Sequence, residues 1–323
     1  MPSSRIYRST DCDLNIIHDK RIVVVGYGSQ GRAFALNLRD SDCQVRVALR
    51  EGSSSSQRVA SDWLPAVPLD QVAASEIVIL AFPDHEQPNF YGRYLAESTS
   101  TKTVVFLHGS NVHFGNIEFQ PQHDVILVAP HGPGSDLRAN YLSGVGLSCF
   151  FAVHQDYSGH AREVGLALAA GIGADKAGVY ETSFKEETIG DLFGEQTLLV
   201  GGLAGLTTTV FETLVDKGVS PENAYLETVK QLKLLASMLE QFGPAGMIER
   251  VSKMAAYGSL RAIPLLFDEQ FQEKLGTIYR EIESGEFNRL LQKEAQANFP
   301  TYDGLLNQLR KSACQKTCDE RIH

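Results

Sequence analysis

Short runs of apolar, largely β-branched residues punctuate the first half of the chain, and stretches with helical spacing separate them. Arg21–Gly26 (RIVVVG), Gln44–Leu49, Glu76–Phe82 (EIVILAF), Thr103–Leu107, Asp124–Ala129, Leu147–Val153 and Lys176–Tyr180 read as strands. Ser29–Arg39 and Ser158–Ala170 read as helices, with Ala33, Leu36 and Asn37 on one side of the first. Strands that are apolar almost throughout bury both faces, so the pattern predicts a parallel sheet covered by helices on both sides. After about Thr182 the period changes to that of helices, with candidates at Glu187–Gly202, Leu206–Lys217, Pro221–Gln241 and Phe267–Ser284. Pro221 follows Ser220 at a favoured first helical position. The expected organisation is an α/β domain over residues 1–182 and an all-α domain over residues 183–323. No internal repeat is visible, and Ser53–Ser56 is the one low-complexity patch. The polar tail Lys311–His323 reads as mobile, with no chemistry of its own.

Composition narrows the class. The 323 residues are 43% hydrophobic and 21% charged, which excludes a disordered chain, a collagen-like chain and a small disulfide scaffold. With 29 Lys and Arg against 39 Asp and Glu, the net charge of −10 argues against a broad nucleic-acid surface but not against a local phosphate pocket. Five cysteines (Cys12, Cys43, Cys149, Cys314, Cys318), odd in number and irregularly spaced, point to a reducing, cytoplasmic setting. Cys314 and Cys318 lack the second pair that a structural zinc site needs. No uninterrupted apolar run approaches the roughly 20 residues of a membrane helix, and the first twenty residues lack the apolar core of a signal peptide. No membrane partner is expected.

Gly26-Tyr27-Gly28-Ser29-Gln30-Gly31 matches G-x-G-x-x-G between a strand and a helix, the context in which the motif binds a dinucleotide. The glycines permit a tight turn and close approach of a pyrophosphate, and the helix N-terminus offers its N–H groups to the phosphate charge. The plainer reading is a turn kept for packing. The second strand ends in Leu49-Arg50-Glu51-Gly52-Ser53-Ser54-Ser55-Ser56. Arg50 and the serine hydroxyls favour NADP, whereas Glu51 is the kind of residue that binds the ribose 2′-OH of NAD.

Glu187, Asp191 and Glu195 follow one another at four-residue spacing and share a helix face. Such a face is often simply solvated. Here the neighbours Leu192, Phe193, Leu198 and Leu199 are apolar and predict a largely buried helix, on which carboxylates require a cation. Oxygen ligands alone point to Mg²⁺. Glu227 and Gln231 form a second pair four apart on the next long helix.

These residues carry a resemblance. The blocks GYGSQG (26–31), ALREGS (48–53), FPDHEQP (82–88), HGSNVHFG (108–115), APHGPG (129–134), ETSFKEETIGDLFGEQ (181–196) and AYLETVKQLKL (224–234) resemble the short-form ketol-acid reductoisomerases over nearly the whole chain. The resemblance implies a Rossmann domain followed by a knotted helical domain, with the helical domains of two chains intertwined so that a partner chain completes the site. It implies a Mg²⁺-assisted alkyl shift in a 2-acetolactate-type acid, followed by reduction with a nicotinamide hydride, in branched-chain amino-acid synthesis. By similarity, Tyr27 to Gln30 cradle the pyrophosphate, Arg50, Ser53 and Ser55 hold the 2′-phosphate, and Asp84, His85, Glu86 and Gln87 line the cofactor groove. Gly134 contacts the cofactor and His108 is the active-site histidine. Asp191 bridges two Mg²⁺ ions, with Glu195 on one and Glu227 on the other, and Ser252 meets the substrate carboxylate.

The departures from the family pattern fall at the chemistry. His131 stands where members have Lys, Gln231 where they have a second Glu, and Ser110 ends their HGF block. VSKMAAYGSL (251–260) replaces SNTAEYGDY, and DHEQ (84–87) replaces DELQ. Gln231 removes one charge from the implied two-metal site, and His131 replaces a permanent cation with a group mostly neutral near pH 7. The second metal is therefore expected to be weakened, lost or differently held, in a substrate chamber that includes Ser252, His131 and Gln231. The leading expectation is an NADP- (or NAD-) and Mg²⁺-dependent relative acting on a small hydroxy or keto acid in specialised metabolism. One concrete version closes a cyclopropanol ring by expelling a sulfonium leaving group. Ordinary isomeroreduction of 2-acetolactate is the alternative, and a non-catalytic nucleotide-binding relative is the third.

Overall fold

The computed structural model describes residues 5–321. The chain divides into two compact units, one ending at Thr188 and the other beginning at Ile189, so the division falls within the helix Phe184–Gly194.

In the first unit, nine strands among the described residues form one sheet: β1 (Ile6–Tyr7), β2 (Ile22–Val25), β3 (Val45–Leu49), β4 (Ala66–Pro68), β5 (Ile77–Leu80), β6 (Lys102–Phe106), β7 (His123–Pro130), β8 (Cys149–Gln155) and β9 (Val179–Glu181). Their order is β1-β9-β8-β7-β6-β5-β2-β3-β4. The seven expected strands are all present, and β1 and β4 are too short for a periodicity to reveal. The sheet is mixed, which corrects the expectation of a parallel one. From β4 to β7 every pairing is parallel, but β7 pairs with β8 and β1 with β9 in antiparallel fashion. The reason is local: Pro130 at the end of β7 lies opposite Cys149 at the start of β8. The intervening helix Gly134–Ser143 and the left-handed Gly144 and Gly146 return the chain to the edge it left.

Alternate strand residues face opposite layers. Val24, Ile79, Val105 and Ile126 pack with Phe34 and Leu38 of the helix Ser29–Asp40 on one side. Val23, Val78, Val104 and Leu127 pack with Tyr91 and Leu95 on the other. Asn37 is buried and satisfied: its amide donates to the Ile172 carbonyl (3.2 Å) and its oxygen accepts from Arg138 (2.8 Å). The later helix runs Ala161–Gly171.

The second unit is helical throughout. The helix Phe184–Gly194 continues through a π-helical turn, Glu195–Leu199, into Gly201–Asp216. This 33-residue run is long and apolar enough to cross a membrane by length and composition, a feature the sequence reading missed because no single run is uninterrupted. Contrary to expectation it is not buried within one chain: Leu198, Leu199 and Val200 are each 60% exposed or more.

The expected helix Pro221–Gln241 is two, Pro221–Glu227 and Leu232–Glu249. At the break Thr228 is off helical geometry (φ −118°, ψ −77°) and its Oγ1 donates to the Ala224 carbonyl at 2.6 Å, competing with the backbone ladder. The helix after it kinks at Gly243 (φ 69°), before Pro244. Lys253–Leu266 was not foreseen, Glu269–Glu283 matches the expected Phe267–Ser284, and Glu286–Gln296 and Pro300–Arg310 follow.

The tail is also corrected. Ala313–Arg321 is a helix, and its buried Cys314 meets Phe211 and Ala224 in the core of this unit, with Leu214, Val219 and Tyr225 packed around them. Phe211 is fully buried there. Truncation to Phe211→Ala is expected to cost about 3 kcal/mol, read as a lowered urea midpoint; an unchanged midpoint would show that this cluster does not hold the unit together.

Candidate active site

The strand order places β2 between β3 and β5, so the connections leaving the neighbours β2 and β5, one toward β3 and the other toward β6, diverge from one crevice at the carboxyl ends of the parallel strands. Ligands of open α/β sheets bind at such a switch point. Every candidate segment of the first unit lies at that edge: Gly26 after β2, Arg50 after β3, Asp84 after β5, His108 after β6 and His131 after β7.

Geometry explains the glycine turn. Gly26 is left-handed (φ 91°), and a Cβ there would stand 2.6 Å from the Ala81 carbonyl oxygen. A Cβ on Gly31 would stand 2.5 Å from the Gly26 oxygen, whereas one on Gly28 meets nothing within 4 Å. Gly28 therefore borders open space at the N-terminus of Ser29–Asp40, where no side chain caps the helix. These residues fit a dinucleotide pyrophosphate. A second turn is locked against the first: a Cβ on Gly134 would fall 2.1 Å from the Ser29 oxygen, and Gln30 Nε2 donates to the Gly132 carbonyl at 2.7 Å. Gln30 Oε1 is buried without a hydrogen-bond partner.

The Tyr27 side chain is turned inward: the residue is 2% exposed and its hydroxyl donates to Asp62 at 2.8 Å. Arg32 grips the same Asp62 with two bonds of 2.7 and 2.8 Å. After β3, the chain turns at left-handed Gly52, and exposed Arg50 is followed by half-buried Ser53 and Ser55, bonded to each other through Ser55 N–H and Ser53 Oγ (3.3 Å).

Residues 84–86 form a single 3-10 turn. Burial raises the Asp84 carboxyl above its ordinary pKa, and the charge of His108 opposes that shift. His85 Nε2 lies 3.9 Å from Glu86 Oε1. Gln87 is 2% exposed, donates to the Phe82 carbonyl and accepts from Asn111, and so ties two loops together. Ser110 N–H points to His108 Nδ1 at 3.4 Å.

Glu187 departs from the acids that share its spacing. It is 3% exposed and accepts a 2.7 Å hydrogen bond from Gly109 N–H, with no room for a side chain on Gly109. The spacing did not reveal this role. Asp191 and Glu195 are exposed. Glu227 ends its helix and Gln231 precedes the next; Gln231 Nε2 donates to Glu227 Oε2 at 3.2 Å and to the Leu226 carbonyl at 3.0 Å. Among the described residues of one chain, no three His, Cys, Asp or Glu side chains are placed to hold a metal. Asp191, Glu195 and Glu227 therefore do not by themselves fit a resident ion. Ser252 caps Lys253–Leu266, accepting from Ala255 N–H at 3.2 Å.

A glycine turn at the switch point of a doubly wound sheet, followed by an all-helical unit, defines a dinucleotide-dependent oxidoreductase. The chain belongs to the ketol-acid reductoisomerase family, NADP-dependent oxidoreductases and isomerases: residues 16–178 match "Acetohydroxy acid isomeroreductase, NADPH-binding domain" and residues 184–320 match "Ketol-acid reductoisomerase, C-terminal domain". It is 42% identical over 315 residues, 97% of this chain and 96% of the other, to the ketol-acid reductoisomerase (NADP(+)) of Pyrobaculum arsenaticum. An NADH-preferring ketol-acid reductoisomerase from an uncultured archaeon superposes with a TM-score of 0.94 at 34% identity, covering 98% of both chains. At 19% identity, a semialdehyde dehydrogenase NAD-binding protein from Cupriavidus necator shares the fold alone (TM-score 0.61, 82% of this chain and 99% of that one).

The Asp62 cluster yields a prediction with a definite sign. Arg32's hydrogen bonds, aided by Tyr27, hold the Asp62 carboxyl down at about 2. A depressed carboxylate stabilises the fold above its unfolded pKa, near 4, and that stability is lost as pH falls toward 2. Because the Arg32 side chain is 42% exposed, screening leaves about 1 kcal/mol. Asp62→Asn should lose that much at pH 7 and flatten the stability profile between pH 4 and 2 in urea titrations; an unaltered acid limb would refute it.

Proposed function

We propose that this chain is a nicotinamide- and Mg²⁺-dependent enzyme of ketol-acid reductoisomerase type that acts on a small hydroxy or keto acid other than 2-acetolactate. The observation that carries this reading is the hydrogen bond from Gln231 to Glu227. An amide that donates to the carboxylate occupies one of its oxygens and adds no charge for a hard dication. His131, exposed and anchored to Ser148 (2.9 Å), stands where the family has a permanent cation.

In this reading the cofactor supplies or accepts a hydride and Mg²⁺ polarises the acid's oxygens. The chain's own groups do the rest. The N-terminus of Ser29–Asp40 faces the pyrophosphate, and Arg50 with Ser53 and Ser55 favours the 2′-phosphate of NADP. Asp84, His85 and Glu86 border the groove, His108 meets the substrate, and Ser252, His131 and Gln231 shape its chamber. Asp191, Glu195 and Glu227 become a metal set only when a second chain joins, as a homodimer with intertwined helical units. The exposed Leu198, Leu199, Val200 and Leu203 support a second copy as the cover of the apolar helix, because contiguous exposed apolar surface of this kind marks an interface.

The concrete version is ring closure. A hydride would first leave a carbinol carbon for the oxidised cofactor, giving a ketone; the adjacent hydroxyl-bearing carbon would then lose its proton and bond to the sulfonium-bearing carbon two positions further along, the C–S electron pair leaving with the neutral sulfide, and return of the hydride to the ketone would leave a cyclopropanol. Ordinary conversion of 2-acetolactate is the second reading, favoured by the 42% identity to an NADP-dependent ketol-acid reductoisomerase.

Turnover of 2-acetolactate with Mg²⁺ and NADPH, followed by nicotinamide absorbance, separates the two. The proposal expects cofactor binding without turnover in the ordinary range of about 1–1,000 per second; turnover in that range would establish the second reading. Independently, Gln231→Glu is expected to raise Mg²⁺ affinity about tenfold by calorimetry, and an unchanged affinity would remove Gln231 from the argument.

A further inference from the structure

His131 is held from more sides than its exposure suggests. Its backbone N–H donates to the Ser148 carbonyl at 2.9 Å, and its Nδ1 lies 2.9 Å from Ser148 Oγ. Its ring stands edge-on to Phe150 with centroids 4.3 Å apart at 85°, and Tyr180 of β9, the titratable ring facing it, lies 6.0 Å away. The next residue, Gly132, accepts from Gln30 of the dinucleotide turn. The imidazole is thus tied to the strand pair β8–β9 on one side and to the cofactor turn on the other.

We propose that Ser148 is a positioning residue for His131, fixing the ring while permitting either neutral tautomer. This rests on the reading above in which His131 is a substrate-binding group. The argument is chemical. A hydroxyl both donates and accepts. When Nδ1 carries the lone pair, Ser148 donates to it, and when Nδ1 carries the hydrogen, Ser148 accepts. The anchor survives in both cases, and a carbonyl in its place would allow only the second. On the proposed reading Nε2 would meet the ligand, as donor to a keto oxygen or as acceptor from a hydroxyl. An enzyme whose substrate oxygen alternates between ketone and alcohol gains a group that follows the change. No proton passes to the substrate in this scheme; only the direction of the hydrogen bond reverses, and the tautomers exchange through solvent. A lysine has no such second state, because its ammonium only donates.

The test has two arms. In ¹⁵N-histidine-labelled full-length protein, with His131 assigned through His131→Gln, the wild type should show ring nitrogens averaged between tautomers. Ser148→Ala should shift that ratio and Ser148→Thr should restore it. Unchanged resonances in Ser148→Ala would overturn the positioning role. In the second arm, binding of 2-oxoisovalerate and of 2-hydroxyisovalerate is measured by calorimetry with NADP and Mg²⁺ present. Ser148→Ala should weaken both about tenfold, the scale of losing one hydrogen bond, with Ser148→Thr near wild type. In a His131→Ala background Ser148→Ala should cost nothing further; an equal loss there would show that Ser148 acts on the fold and not through His131. If neither acid binds the wild type while the resonances respond as expected, the substrate reading falls and the Ser148–His131 contact is left without a role in recognition.

Discussion

The contact on which the candidate site depends is the approach of Gly134 to the backbone of Ser29. A Cβ at residue 134 would lie 2.1 Å from the Ser29 oxygen, closer than any side chain tolerates. The two turns arise from strands three places apart in the sheet, β2 and β7, with β5 and β6 between them. Nothing in strand pairing brings them together. The bare glycine and the bond from Gln30 to the Gly132 carbonyl do so, and they fix where His131 stands relative to the dinucleotide turn. A second interlock of the same kind lies at Gly109, where the missing side chain admits the Glu187 carboxylate to the backbone N–H. Both are close backbone approaches that trade local conformational freedom for a rigid edge.

Charge is distributed along the acidic helix according to what each carboxylate can reach. Glu187 is buried because an amide donor meets it at 2.7 Å, satisfying the cost of removing a carboxylate from water. One turn later Asp191 stays in solvent, as does Glu195 at the π-helical turn. The π turn widens the helix at Glu195, and such turns recur at functional sites. On the proposed reading, these exposed acids join a cation site completed by a second chain, and the Gln231 amide tempers Glu227 without the charge a glutamate would add.

The two units differ in how completely one chain buries its apolar residues. In the sheet unit both faces are covered, and Val23, Val24, Val78 and Ile79 are inaccessible. In the helical unit the buried cluster is small, built on Phe211, Ala224 and Cys314. Leu234, Tyr257, Leu260 and Leu266 remain more than half exposed. A helix apolar on its outer side is incomplete as a free surface, so the proposed partner chain would supply part of the core as well as part of the site.

The alternation of apolar runs with helical spacing was enough, by itself, to determine seven strands, the dinucleotide turn and the change to an all-helical unit, because each of these depends on local periodicity and on glycines at fixed offsets. The motif blocks likewise determined the family. Tertiary structure alone decided the antiparallel return of β8, the break after Glu227, the ordered tail around Cys314, and the separate fates of Glu187 and Asp191. Three of these turn on which distant group a residue meets, Cys149 opposite Pro130, Cys314 against Phe211 and Gly109 against Glu187, and the break on a local bond that periodicity does not reveal, Thr228 Oγ1 to the Ala224 carbonyl. Spacing places carboxylates on one helix face, but burial against a donor far along the chain, Gly109 N–H, sets Glu187 apart from the exposed Asp191 and Glu195.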